Sequence, residues 1–350
     1  MPQKTGIVRD ETYLKHECGY MHPESPERLE AIYAMLEAPD MAGKFTEISP
    51  RLATHEEIEM IHRPSYINLV ASTAGKEFCS LDPDTGTSAW SYEAAKLAVG
   101  GLLNAIDSTV AGKTDNAFAF IRPPGHHAEA DRAAGFCLFN NVAIGAMHAI
   151  KNFNMTRILI VDWDLHHGNG TQHSFYEDPR VLYFSTHQYP YYPGTGGVSE
   201  IGRGKGLGYT INAPLSPGAD DAQYVAIFRR ILGPVAGAFK PEIILLSAGF
   251  DIYYKDPLGG MQVTPDGFAS LARILLNLAD EYCGGKFVVT LEGGYHIGGL
   301  TESTKMVLKE MLGETHVSDQ RLAELDREAG DKNPVLERVI AQIEPIWHVF

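Results

Sequence analysis

The stretch that most constrains this chain is ILIVDWDLHHGNG at residues 158–170. Four branched apolar residues come first, which is typical of a strand buried on both faces. Two aspartates and two histidines follow before the first glycine. If the chain stays extended, Asp162, Asp164 and His166 point to one side. Aspartate and histidine directed together from a strand end suit a divalent metal, zinc above all, whereas uncompensated charges beside an apolar strand are costly.

Apolar segments of strand type recur along the chain and alternate with segments of helical pattern. Buried strands that alternate with helices predict a mostly parallel α/β sheet covered on both faces, with the ligand at the carboxyl ends of the strands. Five such segments each end in His, Asp, Ser or Tyr, which favours an enzyme. The five predicted strands are 117–121, 158–161, 181–184, 242–246 and 286–291.

The helical pattern is amphipathic in most of the remaining segments, and residues 81–86 are predicted to be a turn-rich loop. Because the candidate site draws on residues 126–295, the chain predicts one domain over 1–350. The predicted helices are 28–36, two short helices within 55–75, 88–110, 141–151, 221–239, 265–282 and 334–346.

Composition excludes several classes of protein. The 350 residues are 44% hydrophobic and carry a net charge of −15, which disfavours binding to phosphate backbones. The four cysteines form no C-x-x-C pair, so a reducing compartment fits. No signal peptide and no apolar span of membrane length is evident. We therefore expect a cytoplasmic protein that binds neither nucleic acid nor membrane, with a homo-oligomer possible.

The candidate metal ligands are Asp164, His166 and Asp251, two carboxylates and one imidazole. A set of three protein ligands leaves a position for water, which distinguishes a catalytic zinc site from a closed structural one. Such a metal would polarise a carbonyl group and acidify the water.

Three further residues have the chemistry of acid–base and oxyanion groups. His126 and His127 follow Pro-Pro-Gly, a stiff approach to a turn, and can act as general base and acid. Asp162 and Asn169 are available to orient them. Tyr295, after two glycines, could donate to a developing oxyanion.

These residues lie in motifs that resemble the zinc-dependent histone deacetylases, with the class II branch and the acetylpolyamine amidohydrolases the most similar. The resemblance covers about residues 10–312 and implies the arginase/deacetylase fold, a single α/β domain with an eight-stranded parallel sheet and a helical tail at about 313–350. We expect the tail to pack on the core or to form an oligomer contact. The motifs are PPGHH at 123–127, GFC at 135–137, DWDLHHGNGTQ at 162–172, SAGFD at 247–251, DPLGG at 256–260 and LEGGY at 291–295.

The resemblance also implies a role for each residue of the site. Asp164, His166 and Asp251 would bind zinc, and His127 would be the general base and then acid. His126, facing Asp162, would be its electrostatic partner, and Tyr295 would polarise the acyl carbonyl. The residues expected to line the substrate tunnel are Gly135, Phe136, His167, Tyr192 and Leu258.

Other positions match the family's ion and rim sites. Asp82 or Asp84 would be the rim aspartate that holds the substrate backbone, and Arg28 would belong to an internal channel. One potassium site would include Asp162, Asp164, His166, Ser185 and Thr186. A second potassium site would include Phe175, Asp178, Val181 and Tyr209.

Three positions bear on the choice of substrate. Asn169 stands where the class I branch has Asp, which fits class II. Tyr192 replaces the usual tunnel Phe, so its hydroxyl could alter acyl preference. Leu258 occupies the gatekeeper position, where a polyamine-specific relative has Glu, and an apolar residue there favours acyl-lysine.

The sequence therefore predicts a zinc amidohydrolase that removes acetyl groups from lysine side chains. A deacetylase of polyamines or other small amides is the alternative. A dimanganese ureohydrolase would need an aspartate at position 169 and a D-x-D after Gly249, which the sequence does not have. A non-catalytic acyl-lysine binding module would be expected to have lost a ligand or Tyr295.

Overall fold

The computed structural model describes residues 3–314, 317–330 and 334–350. The predicted tail, 313–350, therefore includes five residues that lie outside the described ranges. Among the described residues, no helix combines the length and the apolar character that crossing a bilayer requires.

A single parallel sheet of eight strands forms the centre of the molecule, as predicted. The spatial order of its strands is β2-β1-β5-β10-β9-β6-β7-β8, and a separate antiparallel hairpin consists of β3 and β4. The strands are β1 Thr5–Val8, β2 Thr46–Glu47, β3 Cys79–Asp82, β4 Thr85–Thr87, β5 Asn116–Ala119, β6 Ile158–Asp162, β7 Val181–Gln188, β8 Thr210–Leu215, β9 Ile243–Ala248 and β10 Phe287–Leu291.

Helices flank the sheet, and a π-helical turn, Phe228–Leu232, separates two of them. The helices are α1 Glu27–Leu36, α2 His55–Ile58, α3 Pro64–Ala71, α4 Ser91–Val110, α5 Asn141–Phe153, α6 Asn169–Phe175, α7 Asp221–Ile227, α8 Gly233–Phe239, α9 Pro265–Cys283, α10 Ile297–Met311, α11 Asp319–Glu328 and α12 Pro334–Trp347.

Local sequence explains the best-defined elements. Every residue of β6 is buried, as expected of a central parallel strand. Helix α9 begins after Thr264, whose side chain accepts a hydrogen bond from the Gly267 N–H, and has Pro265 in its first turn. It ends at Gly284, which has a left-handed conformation at φ +62°.

Sequence pattern did not find the short strands β1, β2 and β8, nor the β3–β4 hairpin within the predicted loop. Strands β1 to β4 have two to four residues and no continuous apolar run, and they form because neighbouring strands supply their hydrogen bonds. Strand β8 is longer, but Asn212 and Pro214 interrupt its apolar pattern. The tail forms two helices, and Trp347 of α12 donates its indole N–H to the Gly208 carbonyl oxygen at 2.9 Å. The predicted packed tail is therefore present, and the oligomer contact stays a prediction.

The strand order places the motif-bearing loops together. Strands β10, β9 and β6 are neighbours, with Asp162 in register with Ser247 on one side and Ser185 on the other. Because all are parallel, the segments that follow Asp162, Ala248 and Leu291 leave the sheet at the same edge.

Candidate active site

The three predicted metal ligands converge after β6 and β9. Donor atoms of Asp164, His166 and Asp251 lie within 4.8 Å of one another. The Nδ1 atom of His166 is 3.1 Å from Asp164 Oδ1 and 3.1 Å from Asp251 Oδ2. A ring nitrogen carries one hydrogen at most and cannot donate to both carboxylates at full strength. A cation bound to all three groups satisfies both carboxylates and the nitrogen, so the donor set fits a metal with O and N ligands.

Backbone donors fix both carboxylates. The Gly293 N–H donates to Asp164 Oδ2 at 2.8 Å, and the Leu165 N–H donates to Asp251 Oδ1 at 2.9 Å. These bonds leave Asp164 Oδ1 and Asp251 Oδ2 directed at His166. The ligands are therefore held in place before any metal binds.

Asp162 does not join this set, although an extended chain would have aligned it with Asp164 and His166. Strand β6 ends at Asp162, and the chain bends after it, so the alternation of side chains ends there too. The Asp162 carboxylate instead accepts hydrogen bonds from His126 Nδ1 at 3.1 Å and from the Tyr183 hydroxyl at 3.0 Å.

His126 and His127 are adjacent rings, 4.0 Å between centroids, in opposite electrostatic surroundings. Burial lowers the pKa of His126, but the Asp162 and Asp164 carboxylates outweigh it and raise that pKa. Burial also lowers the pKa of His127, and the neighbouring imidazoles lower it further. The pair therefore combines a cationic ring with a neutral one.

The tautomer of His127 follows from a chain of hydrogen bonds. The Glu129 carboxylate can only accept, so Asn169 directs its amide Nδ2 to Glu129 Oε1, at 2.7 Å. Asn169 Oδ1 then faces His127 Nδ1 at 2.7 Å, and the ring must donate there. The other nitrogen of His127, Nε2, is left without its hydrogen and is free to accept a proton.

Tyr295 lies in the wall of the same site. Its ring meets Phe136 edge-on at 5.9 Å between centroids, and the Arg28 guanidinium carbon is 5.2 Å from the ring centroid. Burial raises the pKa of the Tyr295 hydroxyl well above 10, and Asp251 raises it further, so the group remains a donor.

His126, His127, His166 and Tyr295 line one cavity of about 220 Å³. Gly135 is required beside it, because a Cβ atom there would lie 2.2 Å from the His127 ring. The lining residues are Asp84, Pro124, His126, His127, Gly135, Phe136, His166, Tyr191, Tyr192, Leu258, Gly293 and Tyr295.

The structure changes one expectation about this wall and adds one residue to it. His167 does not line the cavity: it is buried, with Nδ1 2.7 Å from Thr195 Oγ1 and Nε2 3.0 Å from Gln172 Oε1. Because consecutive side chains diverge, the cavity side is taken by His166. Tyr191, which the sequence reading missed, stacks on His166 at 5.7 Å between centroids.

Between the two candidate rim aspartates, Asp84 lines the cavity. Its Oδ1 atom accepts a hydrogen bond from the Gly135 N–H at 3.1 Å. Asp82 lies behind it and accepts the Asp84 N–H at 2.9 Å. Burial, and the proximity of Asp84, raise the pKa of Asp82 to about 6.

Two other buried groups of metal-ligand type occur among the described residues, and internal donors already occupy their carboxylates. One contains Glu24, which Arg122 and Arg28 contact. The other contains Glu292, whose Oε2 accepts the Gly125 N–H at 2.7 Å and whose Oε1 accepts the Ser247 hydroxyl at 2.9 Å. Neither carboxylate had been singled out from the sequence, because only the fold brings their donors together.

Comparison with known proteins identifies the family. The model of the histone deacetylase domain matches residues 22–311. A "Probable deacetylase" of Archaeoglobus fulgidus is 40% identical over 88% of this chain and 86% of its own length. Histone deacetylase 5 of Arabidopsis thaliana is 39% identical, and the polyamine deacetylase HDAC10 of Homo sapiens is 41% identical.

The matches differ in how much of each relative they cover. The match covers 50% of the Arabidopsis protein and 45% of the human one, so this chain spans about half the length of those relatives. In structure, the crystallised HDA15 HD domain superposes with a TM-score of 0.90 and 36% identity, over 99% of this chain and 96% of that domain. With the geometry of the cavity, these matches show that the chain belongs to the histone deacetylase family and is a hydrolase that acts on amides.

Proposed function

We propose that the chain is a zinc-dependent amidohydrolase that removes acetyl groups from lysine side chains of proteins or peptides. The observation that carries this proposal is that His127, Tyr295 and the candidate ligand His166 line one narrow cavity, with Asp164 and Asp251 clustered on His166. In such a site the acyl group has an acid–base residue and a hydrogen-bond donor beside it.

Asp164, His166 and Asp251 would hold the zinc. When bound, zinc supplies Lewis acidity, which polarises an acyl carbonyl and lowers the pKa of water. The ligand set matches the preference of zinc for nitrogen and oxygen donors and leaves room for substrate.

His127 is proposed as the general base and then the general acid. Its Nδ1 hydrogen is committed to Asn169, so Nε2 can take a proton from the attacking water and give it to the departing amine. His126 stays protonated against Asp162, and its charge favours the neutral form of His127 before reaction.

Tyr295 is proposed to donate its hydroxyl hydrogen to the acyl oxygen as negative charge develops there. Its raised pKa keeps the donor hydrogen in place at neutral pH. Asp84, at the cavity wall, would accept backbone N–H groups of a bound peptide, and we prefer it to Asp82 for that role.

The substrate stem would pass between Phe136 and Tyr192, with Gly135 and Leu258 completing the wall. An apolar Leu258 favours the aliphatic stem of acyl-lysine over a second ammonium group. Deacetylation of polyamines is the second candidate, since two relatives are named polyamine deacetylases.

The test compares wild-type protein with Tyr295→Phe, each loaded with zinc. We expect one zinc per chain in both, and a loss of roughly 10²–10³-fold in kcat on an acetyl-lysine peptide, the cost of one oxyanion donor. The same assay with acetylputrescine separates the two substrate classes. Wild-type-like turnover by the Phe variant removes Tyr295 from the mechanism. If the wild-type protein turns over neither the acetyl-lysine peptide nor acetylputrescine, the proposal is contradicted.

We also propose two structural potassium ions. The first would use Asp162, Asp164 and His166, largely through their backbone carbonyls, with Ser185 and Thr186. The second would fall near Phe175, Asp178, Val181 and Tyr209, where the Asp178 N–H donates to the Phe175 carbonyl at 3.0 Å. Raising the melting temperature with KCl but not with equal NaCl would support both sites.

Cytoplasmic location, lack of nucleic-acid or membrane partners, and a homo-oligomer stay predictions.

A further inference from the structure

Asp256 is a buried carboxylate, 6% exposed, on the loop that carries the gatekeeper Leu258. Its Oδ2 atom accepts the Tyr295 N–H at 2.7 Å and the His296 N–H at 3.0 Å. Its Oδ1 atom accepts the Leu258 N–H at 3.0 Å. One side chain thus binds the backbone of the tyrosine and the backbone of the gatekeeper.

The tyrosine needs such support because Gly293 and Gly294 precede it. Glycines lower the cost of alternative backbone conformations, so this turn does not fix the ring by itself. Arg28 binds the turn from the opposite side, donating Nε–H to the Gly294 carbonyl at 2.7 Å and an Nη2 hydrogen to the Glu292 carbonyl at 2.5 Å. A buried cation therefore binds the carbonyl groups of the turn, and a buried anion binds its N–H groups.

The backbone N–H and the backbone carbonyl of the gatekeeper Leu258 are both hydrogen-bonded. Asp256 accepts its N–H, and the Tyr191 hydroxyl donates to the Leu258 carbonyl at 2.9 Å. Tyr191, Leu258 and Tyr295 all line the cavity. A change at Asp256 would therefore reach both the oxyanion donor and the selectivity wall.

We propose that Asp256 is a positioning residue that sets the Tyr295 hydroxyl and the Leu258 side chain relative to each other. It touches no substrate and acts through these two residues. The inference rests on the proposed function, in which Tyr295 donates to the acyl oxygen.

The principal variant is Asp256→Ala, which removes all three acceptor bonds. We expect kcat on an acetyl-lysine peptide to fall roughly 10–100-fold, the usual effect of losing an outer partner of a catalytic group. In the Tyr295→Phe background, the same change should lower kcat by less than about threefold, because residues that act through one group are not additive. The preference for peptide over acetylputrescine should also shift.

Asp256→Asn serves if the alanine variant does not fold. Its single amide oxygen can serve the Tyr295 side or the Leu258 side but not both, so its loss of kcat should be smaller than that of alanine. The matched control is Asp221→Asn, since Asp221 also accepts a backbone N–H, from Thr264 at 2.8 Å, away from the cavity. The control should lower the melting temperature and leave kcat within about twofold, because its carboxylate has no contact with the site.

Crystal structures of the Asp256 and Asp221 variants give a readout that does not depend on turnover. We expect the Tyr295 ring to leave the cavity wall in the Asp256→Ala protein and to stay in the Asp221→Asn protein. In the Asp256→Asn protein either the Tyr295 ring or the Leu258 side chain should be displaced. The proposal is overturned by an unmoved ring in the Asp256→Ala protein, by an Asp256→Asn protein in which neither Tyr295 nor Leu258 moves, by unchanged kcat, or by an equal loss in the Tyr295→Phe background. If the wild-type protein is inactive but its Asp256 variants still show a displaced Tyr295 ring, only the proposed function is contradicted. The positioning role of Asp256 then stands.

Discussion

The ring of His127 donates its Nδ1 hydrogen to Asn169 Oδ1 across 2.7 Å, and Glu129 determines which way that amide faces. Glu129 is buried, and its Oε1 atom also contacts His173 Nδ1 at 2.8 Å. The orientation of His127, the proposed general base, therefore depends on the Glu129 carboxylate, which acts through Asn169, the direct partner of the ring.

This arrangement predicts that Asn169→Asp is damaging here, although aspartate is an acceptor for His127. The new carboxylate would face Glu129 at hydrogen-bond distance with no hydrogen between them. We expect kcat to fall roughly tenfold or more, with a lower melting temperature. Adding Glu129→Gln supplies a donor and should restore most of both. A double variant as poor as the single one would contradict this account.

A second prediction concerns pH and His62. The Nδ1 atom of this buried ring is 2.8 Å from the Glu129 carbonyl oxygen, and Nε2 accepts the Asn140 N–H at 2.8 Å. The ring is therefore neutral. Burial lowers the pKa of His62 to about 4, against a partial opposing effect of Glu129.

His62 binds a proton near pH 6.5 in the unfolded chain but only near pH 4 in the folded protein. As pH drops from about 6.5 to about 4, proton binding therefore favours the unfolded state, and stability falls. The loss from this group alone is about 3 kcal/mol, and none is expected above pH 7. Urea unfolding of wild type and His62→Gln across this range checks it. The difference in free energy of unfolding between wild type and His62→Gln should shrink towards pH 4. A difference that stays constant with pH would refute the lowered pKa of His62.

The buried pair of Glu24 and Arg122 provides a third prediction. Arg122 contacts both Glu24 oxygens, and Arg28 Nη1 lies 3.1 Å from Oε1. Glu24→Gln leaves two buried guanidinium groups without their anion and should cost about 3–5 kcal/mol in free energy of unfolding. Glu177→Gln is the control, because Glu177 and its partner Arg203 are 60% and 75% exposed, and it should leave the free energy of unfolding nearly unchanged. Equal costs would argue against burial as the cause.

Substrate choice gives a fourth prediction. Leu258→Glu places a carboxylate in the cavity wall and should raise the ratio of kcat/KM for acetylputrescine to that for an acetyl-lysine peptide by about tenfold, equivalent to about 1.4 kcal/mol. Leu258→Gln has the same polar shape without the charge and should not raise it. A similar gain in both variants would indicate that loss of apolar surface, and not charge, sets the preference.

The sheet and the candidate ligands Asp164 and His166 were predictable from sequence because their signals are local. The apolar run of β6 and the aspartates and histidines after it lie within one short segment. Strands of five or six buried residues, such as β9 and β10, carry enough pattern to be found. The edge strand β2 and its neighbour β1 do not, since their pairing partners stabilise them.

Chain chemistry by itself thus determined the fold class and predicted the candidate ligands and acid–base groups, because each is a property of residue type and short spacing. Tertiary structure alone decided that His166 and not His167 faces the cavity, and that Asp84 and not Asp82 lines it. Beyond the end of a strand, side-chain direction no longer follows a period of two, so neighbouring residues cannot be assigned to one side from spacing. Asp256 acquires its role only when the distant backbone N–H groups of Tyr295 and His296 meet its carboxylate, and Glu129 only when the Asn169 side-chain amide does.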